Sequence, residues 1–345
     1  NVDAASSADI GAHQKRLGEI GTVGQAGDLT GTGASPVTGS TMTVSGYLGT
    51  ENVTITGDWS AKQVANAVNN KSADTGVSAQ AVTKAKISNF SIDGTVTFDV
   101  KGKNSSAVTV SATLTAATAG GAPTDLTTLS NAFNLVSAQT GITAELTSDK
   151  SSIILTSAEG YDIGLADYTN SSGTTATVDI TGMKGDGSTT VESAQSLVAT
   201  STKDSTRIVG DLLFSSSKAF TLKDSAGTIG TDAFAGTSSQ SSALAAMSSV
   251  DVSTASGAAA AIDIVDGAIA KVSNMRADLG AVASRLEKTV DALTAASTNV
   301  SAARSRIQDA DYSVETTNLS KAQIIAQAST AMLAQANQQA SIVLS

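Results

Sequence analysis

Cysteine is absent from the 345-residue chain, which removes disulfides and thiolate metal sites from consideration. Histidine occurs once, as His13. A His-Glu-x-x-His zinc helix therefore cannot exist, and a Ser-His-Asp triad would have to be built on that residue. The only prolines are Pro36 and Pro123, so nothing in the later part of the chain breaks a helix by ring geometry. Aromatic residues make up 3% and charged residues 15%. The 41% that is hydrophobic is mostly small. Each fully buried large side chain contributes about 1.5–3 kcal/mol, so a chain short of them favours elongated modules, thin β-domains and closely packed helices over one large core. No run of eighteen apolar residues exists, which excludes a membrane span by a helix. No Gly-x-Gly-x-x-Gly follows a strand pattern, and no phosphate loop is present. The net charge of -10 argues against nucleic acid, whose phosphates need a basic surface. There is also no polybasic run to hold an anionic membrane.

What is present falls into three zones. In "SADIGAHQKRLGEI" the residues Ile10, His13, Leu17 and Ile20 fall at helical spacing, and Ser7 or Asp9 supplies a cap. The expectation is one helix of about three turns ending at Gly21, with His13 packed on its apolar stripe. Residues 28–250 are rich in Thr, Ser and Gly and hold short β-like runs, among them "VTFDV" (96–100), "AVTVSATL" (107–114) and "SIILTS" (152–157). Within them "VANAVNNKSADTGVSA" (64–79) aligns without a gap on "LSNAFNLVSAQTGITA" (129–144). Asn66 meets Asn131, Asn69 meets Asn134, and Thr75-Gly76-Val77 meets Thr140-Gly141-Ile142. Each copy reads as a short helix, a glycine turn and a strand, which predicts a duplicated small α/β repeat. The repeat units are expected at about 40–82 and 95–165, with a further outer region at 168–250. Trp59, the sole tryptophan, is expected to anchor packing of the first copy. The loop "KGDGSTT" (184–190) lacks the twelfth-position Glu of a calcium-binding EF-hand and reads as a plain turn.

The third zone is helical. Ile262, Val265, Ile269, Val272, Met275, Leu279, Val282, Leu286, Leu293, Val300 and Ile307 follow a 3/4 spacing, the seam of a long helix over 256–307 awaiting partner helices. Next comes a charged knot, "ARSRIQDADY" (303–312), with Arg304, Arg306, Asp309 and Asp311. It reads as a joint: cations at the end of one helix and anions at the start of the next, as the helix dipole favours. From Ser313 onward only Glu315 and Lys321 are charged. Leu319, Ile325, Ala328 and Met332 share one face of a helix over 313–345, while Ile324 and Leu333 spread apolar character round it. A helix apolar nearly all round expects burial. Gln323, Gln327, Gln335 and Gln338 interrupt it, so the burial is expected in an assembly.

Three blocks in order, Arg276-x-x-Leu279-Gly280-Ala281-Val282, Ala303-Arg-Ser-Arg-Ile-x-Asp-Ala-Asp-Tyr312 and Met332-Leu-Ala-Gln-Ala-Asn337, closely resemble bacterial flagellin. Residues 250–275 resemble it more loosely, and "SSADIGAHQKRLGEI" resembles the last helix of the family's amino-terminal half. The resemblance implies an elongated, multidomain α+β chain. Residues 1–27 would be a remnant of the amino-terminal bundle helix. Residues 256–307 would be the long helix of a coiled-coil bundle layer, and 313–345 the carboxy-terminal filament-core helix. The β-rich outer domains would lie between. It also implies that the amino-terminal core helix and most of the amino-terminal bundle helices are missing from this chain, which opens Asn1-Val2-Asp3 without an initiator methionine.

The function implied is that of a structural filament subunit, extracellular and without cofactor or catalysis. The partners implied are other flagellin subunits, the flagellar export chaperone and export apparatus, and the junction and cap proteins. For the bundle layer the family also implies a host Toll-like receptor. Two alternatives share the terminal motifs: a flagellin-like surface protein binding glycans or host ligands through residues 30–250, and the hook–filament junction protein.

Overall fold

The computed structural model describes residues 6–26, 37, 39–173, 175–187, 194–224, 239–252 and 255–343. The chain divides into two units, Asn1–Asn274 and Met275–Ser345.

In chain order the first unit begins with β1 (Gly11–Ala26), β2 (Ser40–Ser45), β3 (Thr50–Ile55), α1 (Ala61–Asn69), α2 (Ser72–Thr75) and β4 (Ser78–Ser88). There follow β5 (Gly94–Lys101), β6 (Val108–Leu114), α3 (Thr127–Leu135), α4 (Ser137–Thr140), β7 (Thr143–Leu146) and β8 (Ile153–Ser157). The unit continues with β9 (Ile163–Asn170), β10 (Thr177–Met183), β11 (Gln195–Val198), β12 (Ser205–Ser216), β13 (Thr221–Asp224), β14 (Gln240–Ser241) and β15 (Ala243–Ala246). The last element, α5, runs Ala255–Val343.

One sheet has the order β11-β10-β4-β12-β9-β5-β6, with β1 pairing β12 and β15, and β8 pairing β4 and β7. A smaller sheet has the order β14-β13-β2-β3. Two apolar clusters fill this body. Phe98, Phe133, Tyr168 and Leu129 belong to one, with the Phe98 and Tyr168 rings stacked at 5.0 Å. Val64, Val68, Met42 and Phe214 belong to the other. Trp59 packs partly buried against this second cluster, as its expected anchoring role requires.

The two aligned segments share their hydrogen bonds. Asn69 donates to the Ala79 carbonyl at 2.8 Å and accepts from its amide at 2.8 Å. Asn134 does the same with Ala144, at 2.8 and 2.9 Å. Thr75 and Thr140 each cap the short helix from inside, accepting from the amides of Val77 and Ile142 at 3.2 Å. Gly76 and Gly141 end those helices with φ of 73° and 71°, a left-handed conformation that glycine adopts at no steric cost. The helix starts differ. Ser60 and Gln63 form a reciprocal capping box on α1, whereas Leu126 leaves α3 without a side-chain cap.

Two expectations are corrected. Residues 11–26 form β1, not a helix. Gly11, Gly18, Gly21 and Gly24 each weaken a helix by roughly 1 kcal/mol, and pairing with β12 from His13 to Ala26 supplies the alternative. The helical spacing of Ile10, His13, Leu17 and Ile20 was a coincidence of short range, and the amino-terminal bundle-helix remnant expected at 1–27 is a turn followed by the strand Gly11–Ala26 in its described part. The charged knot is not a break either. Helix α5 passes through 303–312 without interruption, since no proline or glycine follows Gly280. With no helix end there, the dipole account of Arg304, Arg306, Asp309 and Asp311 lapses. Residues 28–36, at the start of the expected outer region, and 188–190 of the "KGDGSTT" turn lie outside the described residues. At the described end of that turn Asp186 faces Arg16 at 3.8 Å.

Candidate assembly surface

Helix α5 carries every residue expected to take part in assembly, and its beginning and its remainder behave differently. Near its start, inside the first unit, Ala261, Ile264 and Ala268 are buried, with Ile264 8% exposed and Ala268 2%. They recur at i, i+3 and i+7, one helical face. Gly267 lets that face come down on β1, because a Cβ there would lie 2.5 Å from the Ala12 Cβ. Two polar ties flank the contact. Lys271 donates from Nζ to the Asp9 carbonyl at 2.5 Å, and Gln80 donates to Asp263 Oδ1 at 2.8 Å. Burial pushes the Asp263 carboxyl above its usual range. His13 sits half-buried beside this contact, where burial and then the Lys271 charge lower its pKa. Its Nδ1 is buried without a hydrogen-bond partner.

The seam expected from the sequence lies on another side. Ile262 and Ile269 are 62% and 59% exposed, and Val265 is half-buried. The burial face Ala261-Ile264-Ala268 was missed because two of its three residues are alanines and only Ile264 is large. Gly267 inside a helix pattern was the available signal, since a helix-interior glycine often marks a close approach.

Beyond Met275 every described side chain to Gln339 is exposed. That includes Leu279, Val282, Leu286, Leu293 and Val300 of the expected seam, and Leu319, Ile324, Ile325, Ala328, Met332 and Leu333 of the expected core helix. Their arrangement is regular. Val265, Val272, Leu279, Leu286, Leu293, Val300, Ile307 and Val314 recur at exact seven-residue spacing. Past Val314 the phase changes: the next stripe residue is Leu319, five positions on, which turns the apolar face by about 140° round a helix of 3.6 residues per turn.

The knot lies just before this change of phase. Val300, Ala303, Arg304, Ile307, Gln308 and Asp311 line one shallow groove along α5, so Arg304 and Asp311 flank the apolar stripe. Arg306 and Asp309 fall on the opposite side by helical geometry. Asp309 accepts from Ser305 Oγ at 3.2 Å. Along this helix the described residues show one ion pair, Lys288–Asp291 at 3.6 Å, so the charges do not hold the helix together.

Helix α5 thus carries an exposed apolar stripe of seven-residue period, and its first turns pack on β1 through Ala261, Ile264 and Ala268. Residues 262–345 match the family described as the bacterial flagellin C-terminal helical region. The chain is 41% identical over 221 residues to the B-type flagellin of Pseudomonas aeruginosa, an alignment covering 63% of this chain and 43% of that protein. It is 52% identical over 85 residues to a flagellin of Bacillus subtilis, covering 25% of this chain and 28% of the relative. It is 49% identical over 96 residues to flagellin B of Vibrio cholerae, covering 28% of this chain and 26% of the relative. The helical part of the chain, residues 262–345, is thus similar to the C-terminal helical region of bacterial flagellins, and the similarity to one of them extends over 221 residues. The chain spans less than half the length of these curated relatives.

Proposed function

We propose that this chain is a structural subunit of the bacterial flagellar filament, polymerising through α5 into an extracellular helical tube that serves motility. The single observation carrying this is the exposure of the entire apolar stripe of α5 from Leu279 to Leu333. Its residues between 265 and 314 recur every seven positions, the period of a left-handed coiled coil. The stripe of Val265 to Val314 would pack in a bundle layer, and that of Leu319 to Leu333 in a filament core. The charged residues Arg304, Arg306, Asp309 and Asp311 would mark the passage between layers. Each covered Leu, Ile or Val would contribute about 1.5–3 kcal/mol, summed through helical symmetry. Other copies of the family are the partners this chemistry fits. An export chaperone and apparatus, the junction and cap proteins, and a host Toll-like receptor on the bundle layer follow only from the family. The shared hydrogen bonds of Asn69 and Asn134 support a duplicated unit within the outer, β-rich part.

The test is polymerisation of the full-length protein followed by sedimentation and electron microscopy. Filaments for the parent and none for a Leu293→Asp variant support the reading; filaments of normal length from both would refute it.

A further inference from the structure

The protein's only histidine stands where α5 meets the sheet. His13 follows Ala12, the residue against which Gly267 of α5 lies. Within the sheet it is paired with Ser216 of β12 on one side and Leu244 of β15 on the other, neither of them titratable. Its Nδ1 is buried with no hydrogen-bond partner, although buried polar atoms are almost always partnered. The neutral ring meets this situation by carrying its proton on Nε2, which leaves a bare lone pair at Nδ1. The charged ring has no such choice. Both nitrogens then carry protons, and one N–H is enclosed without an acceptor.

The surrounding charges do not help the charged form. From α5, Lys271 acts on His13 as a like charge while its Nζ donates to the Asp9 carbonyl at 2.5 Å. Asp263 of the same helix accepts from Gln80 at 2.8 Å and has Asp266 for a neighbour. In the turn before β1, the Asp9 carboxylate accepts from Ser6 Oγ at 2.6 Å. On β1 itself, Lys15 donates to Gln240 at 3.0 Å and Arg16 pairs with Asp211 of β12. The other charged residue of β12, Arg207, is paired with Asp162. Strand β15 carries no charge. Burial and then the Lys271 ammonium hold the His13 pKa below its ordinary 6.5.

We propose that His13 is a proton-operated latch on the seat of α5 against β1. With the ring neutral, Lys271 keeps the Asp9 carbonyl and the face of Ala261, Ile264 and Ala268 stays on the sheet. With the ring charged, a second cation and an unmatched N–H share the junction, and residues 261–271 open more often. A basic group whose folded pKa is lowered contributes stability that is present above its unfolded pKa and is lost as pH falls through the folded one. The seat is therefore firm above pH 6.5 and loosens on acidification. The latch concerns the unassembled chain, so it stands or falls separately from filament formation.

The experiment follows two signals of the whole chain between pH 7.5 and 4.5. One is the NMR resonance of the His13 ring, which needs no assignment against other histidines. The other is amide hydrogen exchange at 261–271, corrected for its intrinsic pH dependence. The ring should titrate below 6.5, and exchange should quicken with the same midpoint. The gain should be about tenfold for each pKa unit between that midpoint and 6.5. In a His13→Gln variant the step in exchange should disappear, and in Lys271→Met the ring should titrate closer to 6.5. A ring that titrates at or above 6.5 overturns the proposal, as does exchange that stays level through the His13 titration. So does a His13→Gln protein that keeps the parent's step, which would assign it to another group such as Asp263.

Discussion

Gly267 of α5 lies against Ala12 of β1 so closely that a Cβ on the glycine would stand 2.5 Å from the Ala12 Cβ and 2.7 Å from its Cα. Backbone on one side and helix on the other leave neither partner room to yield. The contact is what holds the buried face Ala261-Ile264-Ala268 on the sheet. Gly267→Ala would raise intrinsic helix propensity by roughly 1 kcal/mol, yet overpacking costs typically about 1–3 kcal/mol, and here the clash should win. Amide hydrogen exchange is expected to quicken at 261–271 and around residues 9–13, with the rest of the body unchanged. Slower exchange in the variant would mean that the helix does not rest on β1 there.

Asn69 and Asn134 each bridge a helix to the following strand with two hydrogen bonds. Replacing either with Ala removes both bonds to the strand backbone, with Ser130 Oγ remaining as a longer donor to the Ala144 carbonyl at 3.4 Å. At about 1 kcal/mol per bond, a loss of roughly 2 kcal/mol is expected for each variant in urea unfolding. Equal losses at both positions are the expected sign of equivalent roles. A loss below about 0.5 kcal/mol, the ordinary surface value, would contradict that.

Asp162 is pushed up to about 6, chiefly by burial, against the pull of Arg207. Its unfolded value is near 3.8. A carboxyl with a raised folded pKa binds its proton more tightly in the folded state. The stability it contributes is present below pH 3.8 and is lost as pH rises through about 6. The span is worth about 3 kcal/mol at 1.36 kcal/mol per pKa unit. Asp162→Asn should therefore flatten the pH dependence of urea unfolding between pH 4 and 6.5 relative to the parent. Parallel profiles for the two proteins would show that the Arg207 pairing outweighs burial.

Arg304 and Asp311 flank the stripe residues Val300 and Ile307 in one groove, whereas Arg306 and Asp309 lie opposite. Exchanging the charges of the first pair, as Arg304→Glu with Asp311→Lys, should slow filament elongation severalfold. The same exchange at Arg306 and Asp309 should have a smaller effect. Light-scattering assembly rates distinguish the two; an equal effect would mean that the covered face is not the one bearing Val300.

The legible part of this molecule was its helix. Leu279, Leu286, Leu293, Val300 and Ile307 recur so regularly that the period alone placed them on one face of a helix, and the helix is there. The equivalence of Asn69 with Asn134 was also readable, because two carboxamides at fixed distance from a Thr-Gly turn impose the same local bonds. Strand β1 was not readable. Its partner β12 lies far away in sequence, and local spacing of Ile10 and His13 imitated a helix. The knot misled for a different reason: charge marks where the environment of a helix changes, and nothing in Arg304 to Asp311 requires the backbone to stop. The Asp162–Arg207 pair was invisible because its members are 45 residues apart and neither belongs to a motif.

The central claim, that the stripe of α5 is covered in an assembly, is tested most directly by Leu333→Asp. Leu333 is 65% exposed in the single chain, so the substitution should change its unfolding free energy by less than about 0.5 kcal/mol. Electron microscopy and sedimentation of the full-length protein should then show filaments for the parent and only unassembled subunits for the variant. Filaments of normal length from the Leu333→Asp protein would contradict the account.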